Sequence, residues 1–255
     1  MTGRVIACAL AVLLWACAPP PPPEPPPPPP LPILHVGVTA DSPPYVFRRE
    51  EGYAGIEIDF AERLAEALGR KLVIVEVTWD EQIPSLLGGG TDVIMSGMAI
   101  TPARAARVAF GEPYLTTSLQ GVIRSADAKR YPTPDALLRL SPRIGVKAGT
   151  TGEALVRQRR PDEQIVLYRS SHDAITELLN YRVDVYVGDA PVIEAAVARY
   201  APQLVAYPRV GKQALAWAFR PEDADLRYAA NDVLAQWRTD GTLTYVLSAW
   251  PGLLE

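Results

Sequence analysis

The chain is 255 residues long, has 26 prolines and carries a formal net charge of −4 at pH 7. Its two cysteines, Cys8 and Cys17, lie close to the N-terminus, and its two histidines, His35 and His172, are far apart, so neither a disulfide framework nor a metal site is expected, and no cofactor. A mild charge without a basic patch interleaved with aromatics excludes nucleic acid as a partner.

Residues 1–16 read as an export signal. Arg4 supplies the positive start, and Val5 to Leu14 an apolar stretch too short to span a bilayer. Leu14-Trp15-Ala16-Cys17 has the form of a lipoprotein box in which Cys17 carries the lipid; an ordinary signal cut elsewhere is the alternative. Residues 17–32 then form a lipid-anchored linker, almost entirely proline. Such a run adopts polyproline II, and at about 3.1 Å per residue it spans about 45 Å, the reach of a stalk that holds a domain off a membrane. The expected location is periplasmic or at the cell surface, anchored to a membrane.

Ile33 to Val38 reads as a buried strand, followed by the turn-rich loop Asp41-Ser42-Pro43-Pro44-Tyr45. Ile56, Phe60, Leu64 and Leu68 recur at helical spacing, and Gly69 stops that helix. Leu72 to Val77 is a β-branched strand, and Gln82 to Leu87 a short helix ended by Gly88, Gly89 and Gly90. Asp92 opens a short apolar strand, Val93 to Met95, of the kind covered on both faces. Gly97 admits a close approach of the backbone. Thr101-Pro102 starts a helix, with the hydroxyl as cap and proline at the first helical position. Arg104 falls in the first turn, where a cation opposes the helix dipole. Either a ligand carboxylate gripped by the guanidinium fork or a neighbouring surface acid accounts for it.

A second series begins at Ile144. A strand leads into Gly149-Thr150-Thr151-Gly152, and a helix follows from Glu153. His172 to Leu179 is a helix, Val183 to Val187 a strand ending at Gly188-Asp189, and Val192 to Tyr200 a helix. Leu215 to Phe219 is expected as a strand and Leu226 to Trp237 as a helix. The alternation implies an α/β fold of mostly parallel sheets flanked by helices, with a ligand at the carboxyl ends of the strands.

The run from Gly88 to Arg104 resembles the polar amino-acid binding proteins of bacterial ABC importers, the family 3 solute-binding proteins. Asp92, Gly97, Met98, Ile100, Thr101 and Arg104 match that family's pattern, and the resemblance covers about residues 33–255. It implies a two-lobed periplasmic-binding-protein type II fold. Residues 33–115 and 212–255 would form one lobe and 116–211 the other, with hinges near Leu115 to Gly121 and Tyr207 to Lys212.

The resemblance also assigns roles. Arg104 would hold a ligand carboxylate, with backbone groups of Gly97 and Ala99 beside it. Thr150 and Thr151 would present further N–H groups, and Asp189 would take the ammonium. Trp79 would lie against the aliphatic part, Tyr45 on the wall, and Lys147 within reach of the side chain. Local alternatives stand beside these: a turn and cap for the Gly-Thr-Thr-Gly loop, an N-cap for Asp189, a core tryptophan for Trp79 and a solvated lysine for Lys147. Thr39 stands where several binders of basic residues and of glutamine carry Asp, and Ala99 where a hydroxyl is common; nothing here meets a cationic side chain, although Asp41 lies close. An uncharged polar or acidic amino acid is therefore the favoured ligand. ABC permease subunits are the expected partner of what should be a monomer.

The same fold includes exported cyclohexadienyl dehydratases. Glu153 and Glu194 are the acids that could serve such an enzyme here, but the dehydratase pattern after Asp189 is replaced by Ala190-Pro191-Val192-Ile193, so no enzyme is expected. A sensor working through a separate partner is the third possibility.

Overall fold

A computed structural model describes residues 30–159 and 165–250 of the chain. The export signal, Cys17 and the linker as far as residue 29 lie outside the described residues.

The first sheet starts with β1 (Ile33–Val38), in which Leu34, Val36 and Val38 are completely buried. The expected loop holds as a turn over Pro43-Pro44-Tyr45, but it starts with the short strand β2 (Asp41–Ser42) and leads into β3 (Val46–Arg48) and β4 (Tyr53–Ala54), which together form a small antiparallel meander. Helix α1 (Ile56–Ala67) buries Ile56, Phe60 and Leu64 on one face, as their spacing requires. It leads to β5 (Lys71–Glu76), which pairs in parallel with β1. Helix α2 (Gln82–Leu87), strand β6 (Val93–Ile94), helix α3 (Pro102–Ala105) and strand β7 (Ala109–Phe110) follow. β6 lies parallel to β1 on its other side.

Strand β8 (Leu115–Arg124) then leaves this sheet for a second one. There α4 (Pro134–Arg139), β9 (Ile144–Lys147), α5 (Thr151–Arg159), β10 (Ile165–Tyr168), α6 (Ser171–Leu179), β11 (Val185–Asp189), α7 (Ala190–Arg199) and β12 (Leu204–Ala206) build the order β10-β9-β11-β8-β12. β10, β9 and β11 run parallel, and β8 antiparallel to β11 and β12.

Strand β13 (Val210–Leu215) runs antiparallel to the start of β8 and returns the chain to the first sheet. There β14 (Ala218–Phe219) inserts between β6 and β7. The single strand expected over Leu215 to Phe219 is thus broken at Ala216 and Trp217. The Ala216 N–H bonds to the Met98 carbonyl, and Trp217 is buried in the first core. Helices α8 (Ala224–Asp240) and α9 (Thr242–Ser248) close the first lobe. Ala230, Leu234 and Trp237 of α8 join the core under β1, and Trp237 stacks on Phe60 with ring centres 5.9 Å apart.

The result is two α/β lobes joined by the paired strands β8 and β13. The carboxyl ends of β1, β6, β9 and β11 carry the loops that meet between the lobes.

Candidate functional site

Every candidate ligand-contact residue from the sequence lines one small cavity of about 40 Å³ between the lobes: Thr39, Tyr45, Trp79, Gly97, Ala99 and Arg104 on one side, Lys147, Thr150, Thr151 and Asp189 on the other.

The first-lobe wall is held by backbone geometry. Thr39, just past β1, donates its N–H to Ser96 Oγ at 2.9 Å and its hydroxyl to the Val77 carbonyl at 3.0 Å. Gln82 donates to the same hydroxyl oxygen at 2.9 Å, so Thr39 serves the scaffold before any ligand. Gly97 sits at φ 66°, and a Cβ there would fall 2.7 Å from the Tyr45 ring, so only glycine fits beneath that ring. The backbone group expected to face a ligand is partly committed: the Gly97 N–H donates to Glu57 Oε1 at 2.5 Å.

Arg104 is placed by the expected cap. The Thr101 hydroxyl accepts from the Arg104 N–H at 3.3 Å. The guanidinium donates from Nη1 to the Ala99 carbonyl at 2.8 Å and from Nη2 to the Gly149 carbonyl at 3.0 Å. The other N–H groups of the guanidinium donate to no acceptor among the described residues. The surface-acid alternative does not hold: no carboxylate among the described residues forms an ion pair with Arg104. Burial depresses its pKa, and Asp189 across the cavity raises it.

Trp79 packs against the small core around Ile83, Leu86 and Met98 and also lines the cavity. It is partly exposed, and its Nε1–H donates to the Gly149 carbonyl at 3.0 Å. Its ring lies 5.1 Å from the Arg104 guanidinium carbon and 5.1 Å from Lys147 Nζ. The Gly149 carbonyl of the second lobe therefore receives two donors from the first.

On the second-lobe wall, Thr150 does cap its helix, accepting from the Glu153 N–H at 3.3 Å while donating to the Lys147 carbonyl at 2.7 Å. The next hydroxyl, Thr151, donates to Gln213 Oε1 at 2.8 Å, and Gln213 Nε2 donates to Asp189 Oδ1 at 2.6 Å. Asp189 occupies the cap position of α7, yet its side chain makes no capping bond. Burial raises its carboxyl pKa, opposed by the Gln213 bond and by the charges of Arg104 and Lys147. Asp189 and Arg104 are thus electrostatically coupled but not in contact.

Lys147 overturns the solvated alternative. It is 5% exposed, and its Nζ lies 2.7 Å from Asp41 Oδ1. Ser42 donates to that same carboxylate oxygen at 2.6 Å and lies 3.2 Å from Ser171 Oγ, which accepts from the Tyr186 hydroxyl at 2.9 Å.

Sequence reading missed Ser96, Ser171, Tyr186 and Val192, which also line the cavity, and Gln213 and Glu57, which hold its residues in place. An acid just behind Gly55 at a helix start was the available signal for Glu57, but in isolation it reads as a solvated first-turn carboxylate.

Comparison with known proteins fits this geometry. The profile of the bacterial extracellular solute-binding proteins, family 3, matches residues 34–252. ABC transporter arginine-binding protein 1 of Escherichia coli (strain K12) is 30% identical over 224 residues, covering 85% of this chain and 90% of that protein. Cyclohexadienyl dehydratase of Pseudomonas aeruginosa is 30% identical over 176 residues, covering 68% of this chain and 65% of the enzyme. Among solved structures, the ancestral amino acid-binding protein AncCDT-1, a precursor of cyclohexadienyl dehydratase, superposes with a TM-score of 0.80 at 33% identity, covering 86% of this chain and 95% of that one. Two α/β lobes joined by paired strands, a cavity between them and a match over nearly all the described residues lead to one assignment: the chain belongs to the bacterial extracellular solute-binding proteins, family 3.

Proposed function

We propose that this protein binds one free α-amino acid between its lobes, outside the cytoplasm, and delivers it to an ABC-type importer. The observation that carries this reading is the separation of Arg104 and Asp189. A cation and an anion face one cavity from opposite lobes without touching, an arrangement complementary to a zwitterion. The ligand carboxylate takes the unused part of the Arg104 fork and the N–H groups opening α5. The ammonium takes Asp189, whose one hydrogen-bond donor within the protein is Gln213.

Side-chain preference follows from Lys147. In a binder of arginine, an acid must face the ligand's cationic end; here a buried lysine stands on the wall, already neutralised by Asp41. With Ser42, Ser171 and Thr39 nearby, that pair supports an uncharged polar side chain, with an acidic one next. Cys17 is the residue proposed to carry a lipid anchor, and the protein acts as a monomer.

A dehydratase is the rival reading, since one relative is named as one. Dehydration requires an acid facing the leaving hydroxyl. Glu153 instead accepts from the Gly149 N–H at 2.6 Å, and Glu194 accepts from Arg209 Nη2 at 2.6 Å; neither lines the cavity. A thermal-shift screen of the purified protein against the L-amino acids, prephenate and arogenate separates the readings. One or a few amino acids should raise Tm, with no aromatic product from the other two. Stabilisation by prephenate with turnover would replace the binding reading by the enzymatic one.

A further inference from the structure

Beneath the first-lobe wall lies a carboxylate with no ion-pair partner among the described residues. Glu57, the second residue of α1, is completely buried. It accepts three hydrogen bonds from three separate segments. The Gly97 N–H reaches Oε1 at 2.5 Å, the Tyr114 hydroxyl reaches Oε1 at 2.6 Å, and Trp217 Nε1–H reaches Oε2 at 3.1 Å.

The placement of these donors is what gives the cluster meaning. Gly97 belongs to the loop that forms the cavity wall beside Arg104. Tyr114 is the residue immediately before β8, where the chain departs for the second lobe. Trp217 lies between β13 and β14, where it returns. The two crossings are also tied to each other there, through the Tyr114 N–H and the Leu215 carbonyl at 3.0 Å. One side chain thus holds the cavity loop and the first-lobe ends of both connecting strands.

We propose that Glu57 is a positioning residue for ligand binding: its carboxylate fixes the Gly97 loop and both strand crossings in one arrangement, so that its ionisation is coupled to the shape of the cavity and to closure of the lobes. The coupling to binding rests on the amino-acid reading above; the coupling to the crossings does not.

Burial raises the Glu57 pKa to about 7, against the lowering effect of its three donors. The titratable groups facing it are Tyr114 and Tyr45, whose phenols are held well above their usual range by burial, and Asp189 acts on both phenols from across the cavity. No lysine or arginine among the described residues pairs with Glu57. Both protonation states can be accommodated, because the Tyr114 hydroxyl donates to the carboxylate and can accept from the acid by rotating. The carboxylate engages all three donors; the acid must release or reverse at least one.

The ligand-free test follows the Trp217 indole N–H by ¹H–¹⁵N NMR from about pH 5 to about pH 9. The expected result is a titration with a midpoint near 7, abolished in Glu57→Gln, with the amides of Gly97, Leu115 and Leu215 moving at the same midpoint. Tyr114→Phe, which removes one donor and leaves the carboxylate, should raise the midpoint; it keeps the test decisive should Glu57→Gln fail to fold. The second arm measures affinity for the L-amino acid that raises Tm most, across the same range. It should change about tenfold through the midpoint in the parent and stay flat in Glu57→Gln. An indole titration that Gly97 and the crossing amides do not follow overturns the proposal, as does an affinity profile identical in parent and variant. If no amino acid binds, the first arm still decides the coupling to the crossings, while the amino-acid reading falls separately.

Discussion

Two carboxylates flank the cavity, Glu57 fully buried behind the first-lobe wall and Asp189 partly buried on the second, and they are provided for very differently. Glu57 accepts three hydrogen bonds from protein donors, one of them from the main chain. Asp189 has one, from Gln213, and beyond it looks across the cavity to Arg104. An acid whose donors are all supplied by its own fold is part of the frame. An acid left with a single donor and a facing cation has acceptor positions to spare, which supports the ligand role proposed for Asp189. Both carboxyls are raised by burial, so a shifted pKa alone does not distinguish frame from site; the count of internal donors does.

The comparison is broken most directly from the ligand side. Arg104→Ala and Asp189→Ala should each weaken binding of the screened amino acid by at least about 100-fold, near 3 kcal/mol, as read by isothermal calorimetry. Asp189→Asn should bind poorly yet leave the ligand-free protein no less stable in urea melts, because it removes a buried charge with little compensation. Should Asp189→Asn unfold the protein, Asp189 belongs with Glu57 in the frame.

The opposite side is probed by pH. A carboxyl whose folded pKa is raised from 4.5 to about 7 contributes stability that is complete below the unfolded value and is lost as pH rises through the folded one. The loss amounts to about 3 kcal/mol between roughly pH 4.5 and pH 8. Asp92 and Asp184, lowered by their hydrogen bonds and by Arg220 and Arg143 despite partial burial, act in the opposite sense and lose stability as pH falls. The difference between parent and Glu57→Gln in chemical denaturation isolates the Glu57 part. Parallel pH profiles for the two proteins would remove Glu57 from this role.

Smaller effects sharpen the picture. Lys147→Met leaves Asp41, next to the cavity-lining Ser42, without its partner and should shift preference toward cationic side chains by about tenfold, 1.4 kcal/mol, in competition binding. Gln213→Leu removes the one internal donor of Asp189 and the acceptor of Thr151, and should reduce affinity by about 1 kcal/mol while leaving Glu57 titration unchanged.

Much of this arrangement was legible in the sequence because it is local. The Thr101 cap, the apolar spacing of α1 and the strand-loop-helix around Thr150 each need only a few neighbouring residues to be read. The meander β2–β4 was missed because strands of two or three residues leave no period to detect. Glu57 was missed for a different reason. Between Ile56 and Ile58 it looks like a solvated first-turn acid, and its donors arrive from 40, 57 and 160 residues away along the chain. The pairing of Lys147 with Asp41 is of the same kind, spanning 106 residues across the two lobes. A resemblance at matching spacing could collect residues from both lobes into one site, but which of them the fold had already engaged could be learned only from the structure.

The Gly149 carbonyl, which receives both Trp79 and Arg104, has a consequence for how such a protein diversifies. Its acceptor belongs to the main chain, at a φ of 71° that keeps the position glycine. No exchange of side chain at that point can alter the acceptor's chemistry. Two residues earlier, Lys147 is under no such restriction. On the role proposed for Lys147, the loop therefore separates a main-chain fastening from a replaceable selector, and a descendant can change what it recognises while inheriting how its two halves meet.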